Sequence, residues 1–165
     1  MAHDEAQQLT LPVSVVSRID VGRLLREVET LDDFLAQAAI RQAGTSVKLP
    51  RTSRLMDELV QINKLNPLVE SDRKQLLSFL ADVRKKAPVL HMSFNADPSP
   101  LFSQRLMTWL RKEIHPLVLL QTGLQPGLGA GCTVRTSNQY FDFSLRENFA
   151  KKRSLLLEKI TGDKP

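Results

Sequence analysis

One cysteine, Cys132, is present among 165 residues, which excludes an intramolecular disulfide and any zinc site built from several thiolates. Long apolar runs are absent too. The longest, at residues 116–120, falls far short of the roughly 18 to 20 residues that cross a bilayer. The first residues, Met1, Ala2, His3, Asp4 and Glu5, lack a basic stretch leading into an apolar one. They predict a protein that is neither secreted nor membrane-spanning, in a reducing cytoplasm. Aromatic residues are scarce at 5%, and His3, His91 and His115 are scattered, with no two spaced i,i+4. That leaves no helical metal-ligand pair and no histidine near in sequence to Asp142, Ser144 and Arg146 to act as base. What remains is ordinary: hydrophobic residues make up 42% and charged residues 25%, a composition that suits one compact domain or two small ones.

The formal net charge of +5 is unevenly spread. Residues 1–86 hold 13 Lys and Arg against 12 Asp and Glu, whereas residues 87–165 hold 10 against 6. The basic excess therefore belongs to the second half, so its distribution matters more than its sum.

Residues 1–86 carry helical periodicity. After a polar lead ending near Pro12, Val21, Leu24, Leu25 and Val28 fall on one face, with Ser17 and Asp20 placed to cap that segment. Thr30 and Asp33 repeat the capping pattern before Leu31, Phe34, Leu35 and Ala38, so the segment is one long helix or two short ones, and a break at Thr30 is the expectation. A third stripe of Leu55, Leu59 and Ile62, flanked by Met56 and Val60, is ended by Pro67. Beyond Ser71 a fourth places Leu76, Phe79, Leu80 and Val83 on one side, with Arg73, Lys74, Arg84 and Lys85 largely elsewhere. Helices of this length are marginal alone, so a small bundle is expected.

The period changes at Ala87 and Pro88. Leu90, Met92 and Phe94 alternate with His91 and Ser93, as in a strand. Ser99 and Pro100 then open a helix expected to bury Phe102, Leu106, Trp109 and Leu110. A short apolar strand at residues 117–120 completes a βαβ crossover. After the glycine-rich residues 123–131, Cys132 and Val134, then Phe141 and Phe143, alternate around a turn at Ser137 and Asn138, which predicts a hairpin. Ser144 and Glu147 form a capping box for a last helix with Leu145, Phe149, Leu156 and Ile160 on one face. The fold class expected is α+β: a helical bundle over residues 1–86, then a βαβββα domain over residues 87–165.

Three segments in this order carry a resemblance: Gln125-Pro126-Gly127-Leu128-Gly129-Ala130-Gly131, then Cys132 to Thr136, then Phe141-Asp142-Phe143-Ser144-Leu145-Arg146. Over residues 87–160 the chain resembles the delta subunit of bacterial F-type ATP synthases, called the oligomycin-sensitivity-conferring protein in mitochondria. That family shows an Asp-Pro-Ser-Leu-Ile-Gly-Gly-like turn, a strand, a hairpin, and Ile-Asp-x-Ser-x-Arg at the start of a terminal helix. Gln125, Gly129 and Ala130 depart from it. The resemblance implies family-signature roles for Leu128, Gly131, Asp142, Ser144 and Arg146. It further implies a non-catalytic peripheral-stalk subunit at the cytoplasmic face of the bacterial membrane, without a cofactor. In the family a six-helix bundle holds N-terminal segments of the alpha subunits, and the C-terminal domain grips the stalk helix of subunit b. Residues 1–86, with about four helices, look shorter than that bundle.

Chemical readings of the same residues are weaker. Residues 127–131 lack the Gly-Lys-Ser/Thr of a phosphate loop and precede a strand, so a turn in which glycine permits positive φ is the better reading. Asp142, Ser144 and Arg146 lack a nearby histidine, and capping accounts for Ser144. Lys151, Lys152 and Arg153 form the densest basic cluster, a solvated helix face or a partner contact. Their use by a small basic nucleic-acid-binding protein is the alternative function, although the basic-aromatic signature of an RNA-recognition sheet is absent.

Overall fold

The protein is described from a computed structural model covering residues 9–40, 49–136, 138–145, 150, 152, 153, 157, 159 and 160. Its first helix grows from a reciprocal cap. The Asp20 amide donates to Ser17 Oγ at 3.3 Å, and the Ser17 amide donates to Asp20 Oδ2 at 2.9 Å. Helix α1 (Arg18–Ile40) buries Val21, Leu24, Val28 and Leu31. The break expected at Thr30 does not occur. The Thr30 hydroxyl donates back to the Arg26 carbonyl at 2.7 Å inside the helix, so it offers no cap, and Leu31 continues the buried stripe.

Helix α2 (Arg54–Asn63) is capped by Ser53, whose side chain accepts from the Met56 amide. Its buried residues are Met56, Leu59 and Asn63, while Ile62 is 52% exposed, so the stripe is rotated from the one expected. Asn63 explains the rotation. Its Nδ2 donates to the carbonyls of Thr10 at 2.9 Å and Leu59 at 2.8 Å, and its Oδ1 accepts from the Thr10 amide at 2.7 Å. A buried amide is tolerated because both its ends are satisfied. The helix closes at left-handed Lys64 (φ 53°), before Pro67 is reached.

The polar lead is also more than a lead: Leu9, Leu11 and Val15 are buried, so residues 9–15 form a strap that belongs to the core. Helix α3 (Glu70–Lys86) packs along α1 and buries Leu76, Leu80 and Val83. It starts at Glu70, ahead of Ser71, with no side-chain cap; Glu70 and Asp72 in its first turn and Arg84, Lys85 and Lys86 in its last suit the helix dipole.

Arg73 is buried, against the expectation that it faces away. Its Nε donates to Asp32 Oδ1 at 2.6 Å, and its Nη1 donates to the carbonyls of Leu68 at 2.9 Å and Pro67 at 3.2 Å. The guanidinium fork thus ties α1 to the turn that precedes α3. Arg73→Met should cost about 1 to 3 kcal/mol of unfolding free energy in urea titration, because two carbonyls and a half-exposed carboxylate lose their donor. A change below about 0.5 kcal/mol would contradict this.

The second half starts with strand β1 (Val89–Phe94), whose Leu90, Met92 and Phe94 are buried as the alternation predicts. Ser99 Oγ accepts from the Phe102 amide, and Pro100 opens helix α4 (Pro100–Glu113). Its buried residues are Met107 and Leu110; Phe102 is 47% and Trp109 55% exposed, contrary to expectation. Strand β2 (Leu119–Leu124) begins later and runs further than residues 117–120, because a turn with Val118 N–H on the His115 carbonyl and Leu117 N–H on His115 Nδ1 occupies residues 115–118.

Pro88 O accepts from Leu119 N–H and Phe94 O from Gln125 N–H, a ladder in which both chains advance together, so β1 and β2 run parallel. Strands β3 (Cys132–Arg135) and β4 (Tyr140–Asp142) are antiparallel, with Met92 opposite Val134 and Val134 opposite Phe141. The sheet order is β2-β1-β3-β4, and the fold is α+β. In the hairpin turn the Gln139 amide donates to Thr136 Oγ1, while Ser137 lies outside the described residues.

Two compact units result: Met1–Pro88 with Gln104–Leu119, and Val89–Ser103 with Leu120–Pro165. Of the expected last helix, Ala150, Arg153, Leu157, Lys159 and Ile160 have helical backbone, whereas Glu147, Phe149 and Leu156 lie outside the described residues. Leu145 and Ile160, assigned to its apolar face, are exposed.

Candidate interaction surfaces

Of the residues singled out by sequence, the structure gathers four at one junction. Pro126–Leu128 forms a 3-10 turn that buries Leu128, after which Gly129 (φ 70°) and Gly131 (φ 92°) turn the chain into β3. Both torsions favour glycine. Gly131 also lies against another stretch of backbone: a Cβ there would collide with the Phe143 carbonyl oxygen and come within 2.9 Å of Ser144 Cα. Two hydrogen bonds hold this approach, Phe143 N–H to Cys132 O at 2.9 Å and Leu145 N–H to Ala130 O at 3.0 Å. Asp142 pairs opposite Thr133 and accepts from the Ser144 amide at 2.8 Å. The Gly129 carbonyl accepts from Asn95 Nδ2 at 2.9 Å.

The junction is thus a structural clasp from the end of β4 to the glycine turn. The adjoining thiol suits that role: burial, with the Asp142 charge adding to it, pushes Cys132 upward, away from reactivity. Arg146 and Lys151 lie outside the described residues; Lys152 and Arg153 are exposed. Among the described residues no three His, Cys, Asp or Glu side chains are grouped to hold a metal.

Sequence reasoning missed the exposed apolar surface. In the second unit Leu101, Phe102, Leu124, Phe143 and Leu145 stand between 43% and 60% exposed. Tyr140 and Phe141 are exposed too, and the rings of Phe141 and Phe143 stack at 6.1 Å. The available signal was the excess of apolar residues over what one helix face and one sheet face can bury, as in the adjacent pair Leu101 and Phe102. A protein of this size commonly buries such groups or gives them a partner.

The first unit holds a cavity of about 660 Å³ between the strap, α3 and the turn after α4. Leu9, Leu11, Phe79, Val83 and Leu117 supply its apolar wall, with His115 at its edge. Asp82 and Lys86, also lining it, are paired at 2.9 Å. Among the described residues no helix is long and apolar enough to cross a membrane. No family model matches the chain, and no curated protein matches it.

Proposed function

We propose that this protein is a non-catalytic delta-type subunit of the peripheral stalk of an F-type ATP synthase. Its helical unit docks on the alpha subunits and its βα unit holds the stalk helix of subunit b. The work of such a subunit is mechanical. It resists the torque of the rotor through multi-site binding, in which linking two modest contacts raises the effective concentration of each. The sequence resemblance over residues 87–160 supports this reading. The observation that carries it furthest is the exposed apolar surface of the second unit, because an amphipathic partner helix is held by apolar contact.

Leu124 provides a direct test, being 58% exposed at the end of a strand on the edge of the sheet. Leu124→Glu is expected to weaken binding of the b-type subunit by about tenfold, since a charge would be buried on association, while the melting temperature stays near that of the parent. Unaltered binding would exclude the β2 edge of the sheet as the stalk contact.

A second reading, nucleic-acid binding through Lys151, Lys152 and Arg153, gains one observation. Tyr140, Phe141 and Phe143 are exposed, and bases stack on exposed aromatic rings. Salt separates the two readings: affinity carried by phosphate contacts falls steeply with ionic strength, whereas apolar helix binding changes little.

A further inference from the structure

Three arginines line a single cleft in the first unit. Arg18, Ile19, Gly22 and Arg26 of α1, with Arg84 of α3, enclose about 460 Å³. Arg18, Gly22 and Arg26 stand at i, i+4 and i+8, one row along the helix, and α3 packs along α1 so that Arg84 faces that row. Gly22 leaves the middle of the row open: a Cβ there would meet nothing within 4 Å.

Among the described residues no carboxylate lines the cleft. Three acidic groups of α1 and α3 are engaged elsewhere, while Glu29 and Asp33 of α1 are not among the residues that line the cleft. Asp20 caps Ser17 and faces Arg23 at 4.0 Å, Glu27 accepts from Ser53, and Asp82 pairs with Lys86. Arg26 spends only its Nε, on the Gly22 carbonyl at 3.2 Å. Among the described residues, its two Nη groups and the guanidinium forks of Arg18 and Arg84 make no ion pair or hydrogen bond. Like charges gathered in one row oppose folding unless an anion offsets them.

We propose that this cleft binds a small anion carrying two or more phosphoryl groups. Guanidinium forks match phosphoryl oxygens two bonds at a time, which a point charge such as ammonium does not reproduce. One phosphoryl ester carries about two negative charges, so three guanidinium groups suit more than one of them. The cleft volume falls within the range of small-molecule sites, roughly 300 to 1,000 Å³. A free polyphosphate chain and a phosphorylated lipid headgroup share this chemistry.

Calorimetric titration of the full chain with sodium tripolyphosphate tests the proposal, alongside co-sedimentation with vesicles containing a phosphatidylinositol phosphate. The double variant Arg26→Gln, Arg84→Gln should lose about tenfold or more in affinity. Arg84→Lys should fall between it and the parent, and Arg105→Gln on α4 should match the parent. All these side chains are exposed, so unchanged melting temperatures will show that the variants fold. Loss confined to tripolyphosphate assigns the cleft to a soluble anion, and loss confined to vesicles assigns it to a headgroup. Binding absent from the parent, or equal in parent and double variant, overturns the proposal.

Discussion

Gly131→Ala is expected to destabilise the protein by about 2 to 5 kcal/mol, with loss of the clasp between the glycine turn and the end of β4. Two terms add. At φ 92° a side chain is strained wherever it points, which costs about 1 to 2 kcal/mol. The new methyl also meets backbone, the Phe143 carbonyl and Ser144 Cα, which cannot swing aside as a flexible side chain would. Relieving that overlap costs about 1 to 3 kcal/mol more and separates Phe143 N–H from Cys132 O and Leu145 N–H from Ala130 O. Gly127→Ala is the control, because its φ is not positive and a Cβ there meets nothing within 4 Å. Urea titration should place that variant within about 0.5 kcal/mol of the parent. Equal stability of the two variants would contradict the account of the clasp.

Arg111→Ala should be nearly as costly, about 3 to 5 kcal/mol, because one side chain holds the strap. Nη1 donates to the carbonyls of Leu11 at 2.8 Å and Pro12 at 2.6 Å, and Nη2 to Val15 at 2.5 Å. No carboxylate balances the charge among the described residues. Burial pulls the guanidinium down to about 10, so it is still cationic at neutral pH, and its Nε is buried without a hydrogen-bond partner. The group is retained for its donors: residues 9–15 form neither helix nor strand, and their carbonyls have to be satisfied by a side chain. Truncation leaves three carbonyls without that donor. Arg111→Lys keeps the charge but not the two-nitrogen fork, and should fall between parent and alanine variant. Hydrogen exchange at the Thr10 and Val15 amides should accelerate in both, and protection equal to that of the parent would refute the role of Arg111.

These two residues mark where sequence stops being legible, because both act through contacts distant in the chain. The alternation of β1, the cap at Ser17 and Asp20, the Ser99-Pro100 helix start and the glycine turn could be read because each is decided locally. Local patterns do not reveal which face of an apolar-rich helix wins. In α4 the buried Met107 and Leu110 lie one step round from Trp109, and both settings fit a helical period. Likewise Asn63 is buried only because Thr10, 53 residues away, supplies its partners, and Arg73 only because Asp32 and two carbonyls meet it. Thr30 shows the converse: a good capping residue caps nothing when its hydroxyl can bond within a continuous helix. Of the signature residues, Leu128, Gly131, Asp142 and Ser144 meet at one junction. Glycine content and spacing indicated the turn, but the backbone crossing that makes Gly131 necessary is a long-range fact.

The clasp fixes the end of β4, and under the proposed stator role the exposed apolar side chains of the second unit would supply the partner contact. Capture of tagged full-length protein from detergent-solubilised membranes of its own cell, with partners identified by mass spectrometry, tests it most directly. The account predicts recovery of alpha, beta and b-type ATP synthase subunits. Recovery of nucleic acid or ribosomal proteins without those subunits would contradict it.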